Sequence, residues 1–253
     1  MSKWLYEKKC MRGISHRERG MLCQDRAAYL ERDYMQIAAL VDGISQTDKS
    51  VIVFEHIADD LVQFTAEHME ELLGYNKRRL DIIKKYLICQ IRKKIENYMK
   101  QYNLNIEDCA STIMVLGLDH LKNEYLLIHL GDGIILSEEK DEWTIKSYPK
   151  NNSSDGKGTY HTVTDSADEK MKIYSGPIGD SVSKFILLTD GNYEYPADKE
   201  KIVSQLKDET FWKDSVNRRA DDIGIVVFCR EEMEDVDYGR QNGENQTGCD
   251  QQR

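Results

Sequence analysis

Three apolar runs in this chain stop at an aspartate followed by glycine. They are Ile37-Ala-Ala-Leu-Val-Asp42-Gly43, Tyr125-Leu-Leu-Ile-His-Leu-Gly-Asp132-Gly133 and Phe185-Ile-Leu-Leu-Thr-Asp190-Gly191. A fourth element is reversed: Asp221-Asp222 precedes the run Ile223-Gly-Ile-Val-Val-Phe228. Runs of this length, bounded by turn residues and rich in β-branched side chains, have the form of buried strands. A carboxylate at the end of such a run needs a turn, a partner or a cation to compensate it. The pattern therefore predicts a sheet structure with acids gathered at one margin.

The remaining periodicities fill in that frame. Arg26 to Leu30 and Tyr34 to Val41 read as a hairpin about Glu31-Arg32-Asp33, which brings Asp25 and Asp42 to the same end. From Lys49 to Leu73 the apolar residues recur at helical spacing, with Gly74 as the stop, and a second helix spans Arg78 to Tyr102. The lysines and arginines of that second helix read as a solvated face. Strands return at 111–118, 125–130, 134–137 and 143–147, and again at 185–188 and 223–229. Helical patterns cover 197–206 and 211–217. The polar stretch 149–168 reads as a mobile loop. Strands, two helices, strands, helix, strand is the order of an α+β sandwich. Residues 1–230 form one domain in this reading, and the polar tail 231–253 is disordered.

The bulk numbers narrow the function. The chain has 253 residues, 32% of them charged, with a formal net charge of −10. A nucleic acid partner would demand a basic footprint, which this balance lacks. Six cysteines at 10, 23, 89, 109, 229 and 249 form no Cys-x-x-Cys pair, so reduced thiols are expected rather than zinc ligands or a disulfide framework. The first residues lack the apolar core of a signal peptide, and no run approaches the roughly 20 residues of a membrane helix. A cytoplasmic, monomeric protein with no membrane partner is the expectation.

Several carboxylates within a few ångströms repel one another, and a divalent cation is the usual relief. An all-oxygen donor set without Cys or His favours Mg²⁺ or Mn²⁺. Two such ions roughly 3.5–4 Å apart would activate a water and polarise a phosphoryl oxygen. The glycines after Asp42 and Asp190 would let backbone and phosphate approach closely. The alternative is plain turn chemistry, since Asp-Gly is a common hairpin dipeptide. Gly131-Asp132-Gly133 fits that alternative best, having strands directly on both sides; Asp221-Asp222 fits a helix-to-strand loop.

In this order, over residues 10–230, the motifs resemble the metal-dependent protein serine/threonine phosphatases of the protein phosphatase 2C (PPM) type. Gly13-Ile-Ser-His16-Arg17-Glu-Arg19-Gly-Met-Leu-Cys-Gln24-Asp25 is similar to the opening motif of a bacterial subgroup. Asp42-Gly43 resembles the motif whose aspartate bridges two metals and whose glycine carbonyl is a further ligand. Cys109-Ala-Ser111-Thr112 resembles a packing motif, and Gly131-Asp132-Gly133 the segment whose aspartate holds a third metal. Thr189-Asp190-Gly191 and Asp221-Asp222-Ile-Gly resemble the remaining metal motifs; in the last the first acid is the ligand, so Asp221 is favoured over Asp222. The resemblance implies a four-layer αββα sandwich of two mainly antiparallel sheets flanked by helices. It also implies two Mn²⁺ or Mg²⁺ ions held by Asp25, Asp42, Gly43, Asp190 and Asp221, with a third ion at Asp132. Hydrolysis of phosphoserine or phosphothreonine by a metal-activated water follows, with Asp42 and Asp190 holding that water. The implied partners are a phosphoprotein substrate and a serine/threonine kinase or its targets.

The chain departs from the family pattern in places. Gln24 stands where many members carry glutamate, and Gly133 replaces a serine, which leaves the third metal site open. Arg17 and Arg19 are candidates to grip phosphate bidentately, or ordinary arginines of a basic loop. His16 is either a general acid or a structural loop histidine. The segment 145–179 occupies the place of the family's flap. Two other functions compete: a catalytically weak or inactive module of the same fold that binds or regulates, and a different Mg²⁺-dependent phosphoesterase such as a nuclease. Retention of all four acids disfavours the first, and the missing basic groove the second.

Overall fold

The computed structural model describes residues 3–74, 77–148, 159–192, 199–206 and 220–231. In chain order its elements are β1 (Trp4–Met11), α1 (Ile14–Glu18), β2 (Arg26–Arg32), β3 (Met35–Ile44), α2 (Val51–Leu73) and α3 (Lys77–Tyr102). There follow β4 (Ala110–Asp119), β5 (Glu124–Leu130), β6 (Ile134–Glu139), β7 (Glu142–Ser147), α4 (Ala167–Lys170), β8 (Lys172–Pro177), β9 (Val182–Leu188), α5 (Lys199–Leu206) and β10 (Ile223–Arg230). One antiparallel sheet has the order β2-β3-β4-β5-β8 and the other β1-β10-β9-β6-β7.

Burial explains why the central strands read as unbroken apolar runs. All ten residues of β4 are buried, because the second sheet covers one face and α2 the other. Alternation vanishes when both faces of a strand are covered. Helix α2 lays Phe54, Ile57, Leu61, Thr65 and Met69 on the first sheet at spacings of three and four, and α3 packs behind it through Leu87, Ile91 and Ile95. Leu40, Leu116, Phe185, Leu187 and Phe228 meet between the sheets. Ile202 of α5 covers the outer face of the second sheet against Ile186, Leu188 and Ile225. The layers run helix, sheet, sheet, helix, as the motif order implied.

Strands β1 and β8 and the short helices α1 and α4 are not visible in the sequence pattern. Strand β1 carries Glu7, Lys8 and Lys9, and it exists because residues more than 200 positions away offer it an edge: Trp4 pairs with Arg230 and Met11 with Ile223. Strand β8 likewise borrows the edge of β5. The single turns α1 and α4 are too short to show a periodicity. The segment read as a mobile loop is partly fixed: Arg92 of α3 donates Nε to the Thr162 carbonyl at 3.1 Å and Nη2 to that of Thr164, and α4 follows. The expected helix at 211–217, the first ten residues of the loop 149–168 and the tail from 232 lie outside the described residues.

The link Gly131-Asp132-Gly133 is no hairpin. Strand β5 belongs to one sheet and β6 to the other, so this turn crosses between them, with Gly131 at φ +128°. A positive φ of that size is glycine territory. The crossing carries Asp132 to the shared rim of both sheets.

Candidate metal centre

Strand register brings the acids together. In the β2–β3 ladder Arg26 faces Val41, which sets Asp25 beside Asp42. Strand β3 does not stop at Asp42, as expected from its sequence, but continues to Ile44, with Asp42 facing Thr112 and Gly43 facing Ser111 of β4. From the second sheet, β9 and β10 pair Leu188 with Ile225. Asp190, in a short 3-10 turn after β9, thereby meets Asp221 and Asp222 just before β10. The acids come from the rims of two sheets and the crossing between them, not from the edge of one sheet. One carboxylate oxygen each of Asp42, Asp132 and Asp190 lie within 4.8 Å of one another.

Two glycines in this arrangement are steric requirements. A Cβ on Gly191 would stand 1.7 Å from the Asp222 carbonyl oxygen, so only glycine lets the Asp190 turn lie against the 221–222 backbone. A Cβ on Gly43 would strike the Phe54 ring at 2.1 Å. The space at Gly43 therefore admits a core aromatic, where the sequence alone suggested an approaching phosphate.

The electrostatics are those of crowded acids. Burial, then the charge of Asp222, holds the Asp25 carboxyl well above the ordinary aspartate range. Burial, followed by Asp25 and Asp190, does the same to Asp42. Burial raises Asp132, although Thr159 Oγ1 donates a hydrogen bond to its Oδ2. Asp190 is pushed up to about 7 by burial and by Asp132 and Asp221. Among the described residues no lysine or arginine forms an ion pair with Asp25, Asp42, Asp190 or Asp221.

Asp25 is 1% exposed; its Oδ2 accepts from Thr189 Oγ1 at 2.9 Å, while its Oδ1 has no hydrogen-bond partner. An orphaned buried carboxylate oxygen beside mutually repelling acids, in an all-oxygen donor set, is a fit for hard divalent cations.

Asp221 and Asp222 separate cleanly. Asp221 is exposed and lines a cleft of about 600 Å³ together with Asp42, Gly43, Asp132 and Asp190. Asp222 is 3% exposed and hydrogen-bonded on both oxygens: Oδ1 accepts from the Gly13 amide at 2.7 Å, and Oδ2 from the Gln24 amide at 2.6 Å. His16 Nδ1 lies 2.8 Å from the same Oδ2. Asp222 thus anchors the Gly13 and Gln24 backbone and does not line the cleft, whereas Asp221 does.

His16 lines the cleft, as does Arg19, whose Nη1 donates to Gln46 Oε1 at 3.2 Å; Arg17 is exposed and does not line it. Gln24 also lines it. Its Oε1 accepts from the Ser45 amide at 2.9 Å, and its buried Nε2 has no hydrogen-bond partner.

Sequence reasoning missed Thr159 and His161, which line the cleft from the far side. They sit in the polar stretch read as a loop, which is fixed by the tether from α3 and by hydrogen bonds between Thr162 and Ser111 of β4. Thr189 of the Thr189-Asp190-Gly191 motif donates to Asp25, a role the sequence did not assign to it.

The family model described as protein phosphatase 2C matches residues 12–224. No curated protein sequence matches the chain. Among solved structures the fold is similar to a bacterial serine phosphatase at 12% identity and TM-score 0.64, covering 92% of this chain and 100% of that one. It is similar to a Streptococcus agalactiae (S. agalactiae) serine/threonine phosphatase at 12% identity and TM-score 0.63, covering 90% and 100%. RsbX in complex with magnesium gives 10% identity and TM-score 0.54, covering 91% and 100%.

Proposed function

Because the chain belongs to the protein phosphatase 2C family, we propose that it hydrolyses phosphoserine or phosphothreonine in proteins with the help of bound Mn²⁺ or Mg²⁺. The observation that carries this reading is the triad Asp42, Asp132 and Asp190, whose carboxylate oxygens converge within 4.8 Å in an open cleft. When bound, the two ions supply an activated water and polarise the phosphoryl oxygens. Asp42, Asp190, Asp221 and the Gly43 carbonyl are the groups that would hold them, with Asp25 behind, and Asp132 would hold a third.

The other residues bind and position. Arg19 at the rim offers a guanidinium to the substrate phosphate and is favoured over Arg17, which stands off the cleft. Gln24 holds the backbone after β3 through Ser45 and keeps an amide donor at the cleft. Substrates in this reading are phosphoproteins made by a serine/threonine kinase. No described helix is long and apolar enough to cross a membrane, and the free cysteines 10, 23, 89, 109 and 229 fit a reducing compartment such as the cytoplasm.

The test is release of phosphate from a phosphoserine peptide and from p-nitrophenyl phosphate, with Mn²⁺ and with EDTA. Metal-dependent release that disappears in Asp42→Asn is expected. A wild-type protein inert toward both substrates would leave a binding module with a phosphatase fold.

A further inference from the structure

Helix α3 runs against the charge of the chain. From Lys77 to Tyr102 it carries nine lysines and arginines and two acids, a net of +7, which leaves −17 for the rest of a chain of −10. Part of that surplus answers α2, which packs beside it with six acids and no lysine or arginine. Lys94 reaches across to it and forms an ion pair with Asp60. The rest of the surplus is not explained by that neighbour.

The opposite flank of α3 faces α4. There Lys85, Ile88, Cys89, Arg92 and Lys93 line an open depression of about 550 Å³ together with Glu96 and Asp168. Ile88 is its buried floor, whereas Lys85, Cys89 and Lys93 are exposed. Among the described residues neither of these lysines has a carboxylate within ion-pair distance. Arg92 donates to the carbonyls of Thr162 and Thr164, which orient its guanidinium without neutralising it. The cations outnumber the two acids, and the exposed Lys100 stands one turn beyond Glu96. The depression also adjoins the cleft. The segment that brings Thr159 and His161 to the cleft continues over Arg92, through Thr162 and Thr164, to Asp168 in the depression.

We propose that this flank of α3 docks an acidic segment of the phosphoprotein substrate while the phosphorylated residue occupies the cleft. The inference rests on the phosphatase reading above. Clustered cations are a recurring means of recognising acidic peptide motifs. Screening limits their reach to about 8 Å at physiological salt. A short segment held on the helix therefore feels Lys85, Arg92 and Lys93 more than the acidic body. A nucleic acid duplex, with one charge per about 1.7 Å, would extend over that body and be repelled. A bilayer would need a broad apolar face on the helix, and that stripe, Leu87, Ile91 and Ile95, is already buried in the core.

The experiment gives the Mn²⁺-loaded full chain two phosphoserine peptides, one with a block of glutamates and one with glutamines in their place. The block is moved stepwise along both sides of the phosphoserine. At the favoured spacing the acidic peptide should show a kcat/KM about tenfold higher at low salt, through KM, as a few exposed ion pairs would supply. The advantage should fade toward 1 M NaCl, where the screening length is about 3 Å. The double variant Lys85→Glu/Lys93→Glu should lose it while cleaving p-nitrophenyl phosphate like wild type. Fluorescence anisotropy of the unphosphorylated acidic peptide on the full chain in EDTA reads docking without catalysis, and the variant should bind about tenfold more weakly. Melting curves establish that the variant is folded. Equal behaviour of the two peptides at every spacing, in both assays, would overturn the proposal and leave the phosphatase reading intact. So would a double variant that instead loses a dimer or an affinity for phosphatidylserine vesicles, which would assign the flank to a second copy or a membrane. A wild type that binds the acidic peptide but cleaves nothing would remove the phosphatase reading and the substrate role with it.

Discussion

Replacing Asp190 by asparagine should stabilise the metal-free protein, increasingly so as pH rises above the value at which the acid ionises in the unfolded chain. Asp190 sits about 7, against 3.8 for an ordinary aspartate, because it is buried against Asp132 and Asp221. A carboxyl whose folded pKa is raised makes the folded state hold its proton more tightly than the unfolded state does. Its stabilising contribution is therefore complete below about pH 4, falls as pH rises, and is gone above about pH 7. The displacement corresponds to about 4 kcal/mol as a ceiling. For a chain of this length that is a melting-temperature change of up to roughly 8–16 °C. Asparagine has no charge to lose, so its curve should lack this slope. Thermal unfolding in EDTA at pH 5 and pH 8 measures it: Asp190→Asn should melt well above wild type at pH 8, and the gap at pH 5 should be less than half as large. Saturating Mn²⁺ should narrow or reverse that gap by binding wild type more tightly, about 2.7 kcal/mol for a ligand at 100 times its Kd. A gap of the same size at both pH values, or a variant that melts lower throughout, would show that Asp190 is not the strained acid described.

Asp42→Asn should abolish Mn²⁺-dependent hydrolysis and weaken Mn²⁺ binding by calorimetry, while melting in EDTA at pH 8 stays at or above wild type, because Asp42 too is held above the aspartate range by burial and its neighbours. Gly191→Ala should destabilise by about 3 kcal/mol or more in urea unfolding, since the added methyl meets the Asp222 carbonyl oxygen at 1.7 Å and backbone must move. Leu187→Ala, at a fully buried position between the sheets, should cost about 2–5 kcal/mol in the same assay with no specific effect on metal binding. Arg92→Ala should leave the acids in place yet loosen the 159–164 segment, read as faster amide exchange there, because it removes the donors to Thr162 and Thr164.

The sequence by itself determined the central strands, the two long helices and the identity of the acids. Ile37–Val41, Ser111–Leu118 and Phe185–Leu188 are covered on both faces, so their apolar continuity is written locally, and so is the helical spacing of Phe54, Ile57 and Leu61. The hairpin spacing that pairs Arg26 with Val41 was equally legible, and with it the meeting of Asp25 and Asp42. Only the tertiary structure decided which acids are available and which are tied down. Asp221 and Asp222 are neighbours of identical chemistry, and what separates them is a pair of backbone amides and an imidazole contributed by residues some 200 positions earlier. The same holds for Gly131-Asp132-Gly133, which locally resembles a hairpin turn and becomes a crossing only because β6 joins the other sheet. Strand β1 and the placement of Thr159 and His161 depend on edges and tethers supplied by remote segments. Short-range pattern records what a residue buries, whereas hydrogen bonding between distant segments fixes where its charge points, and no local spacing encodes that.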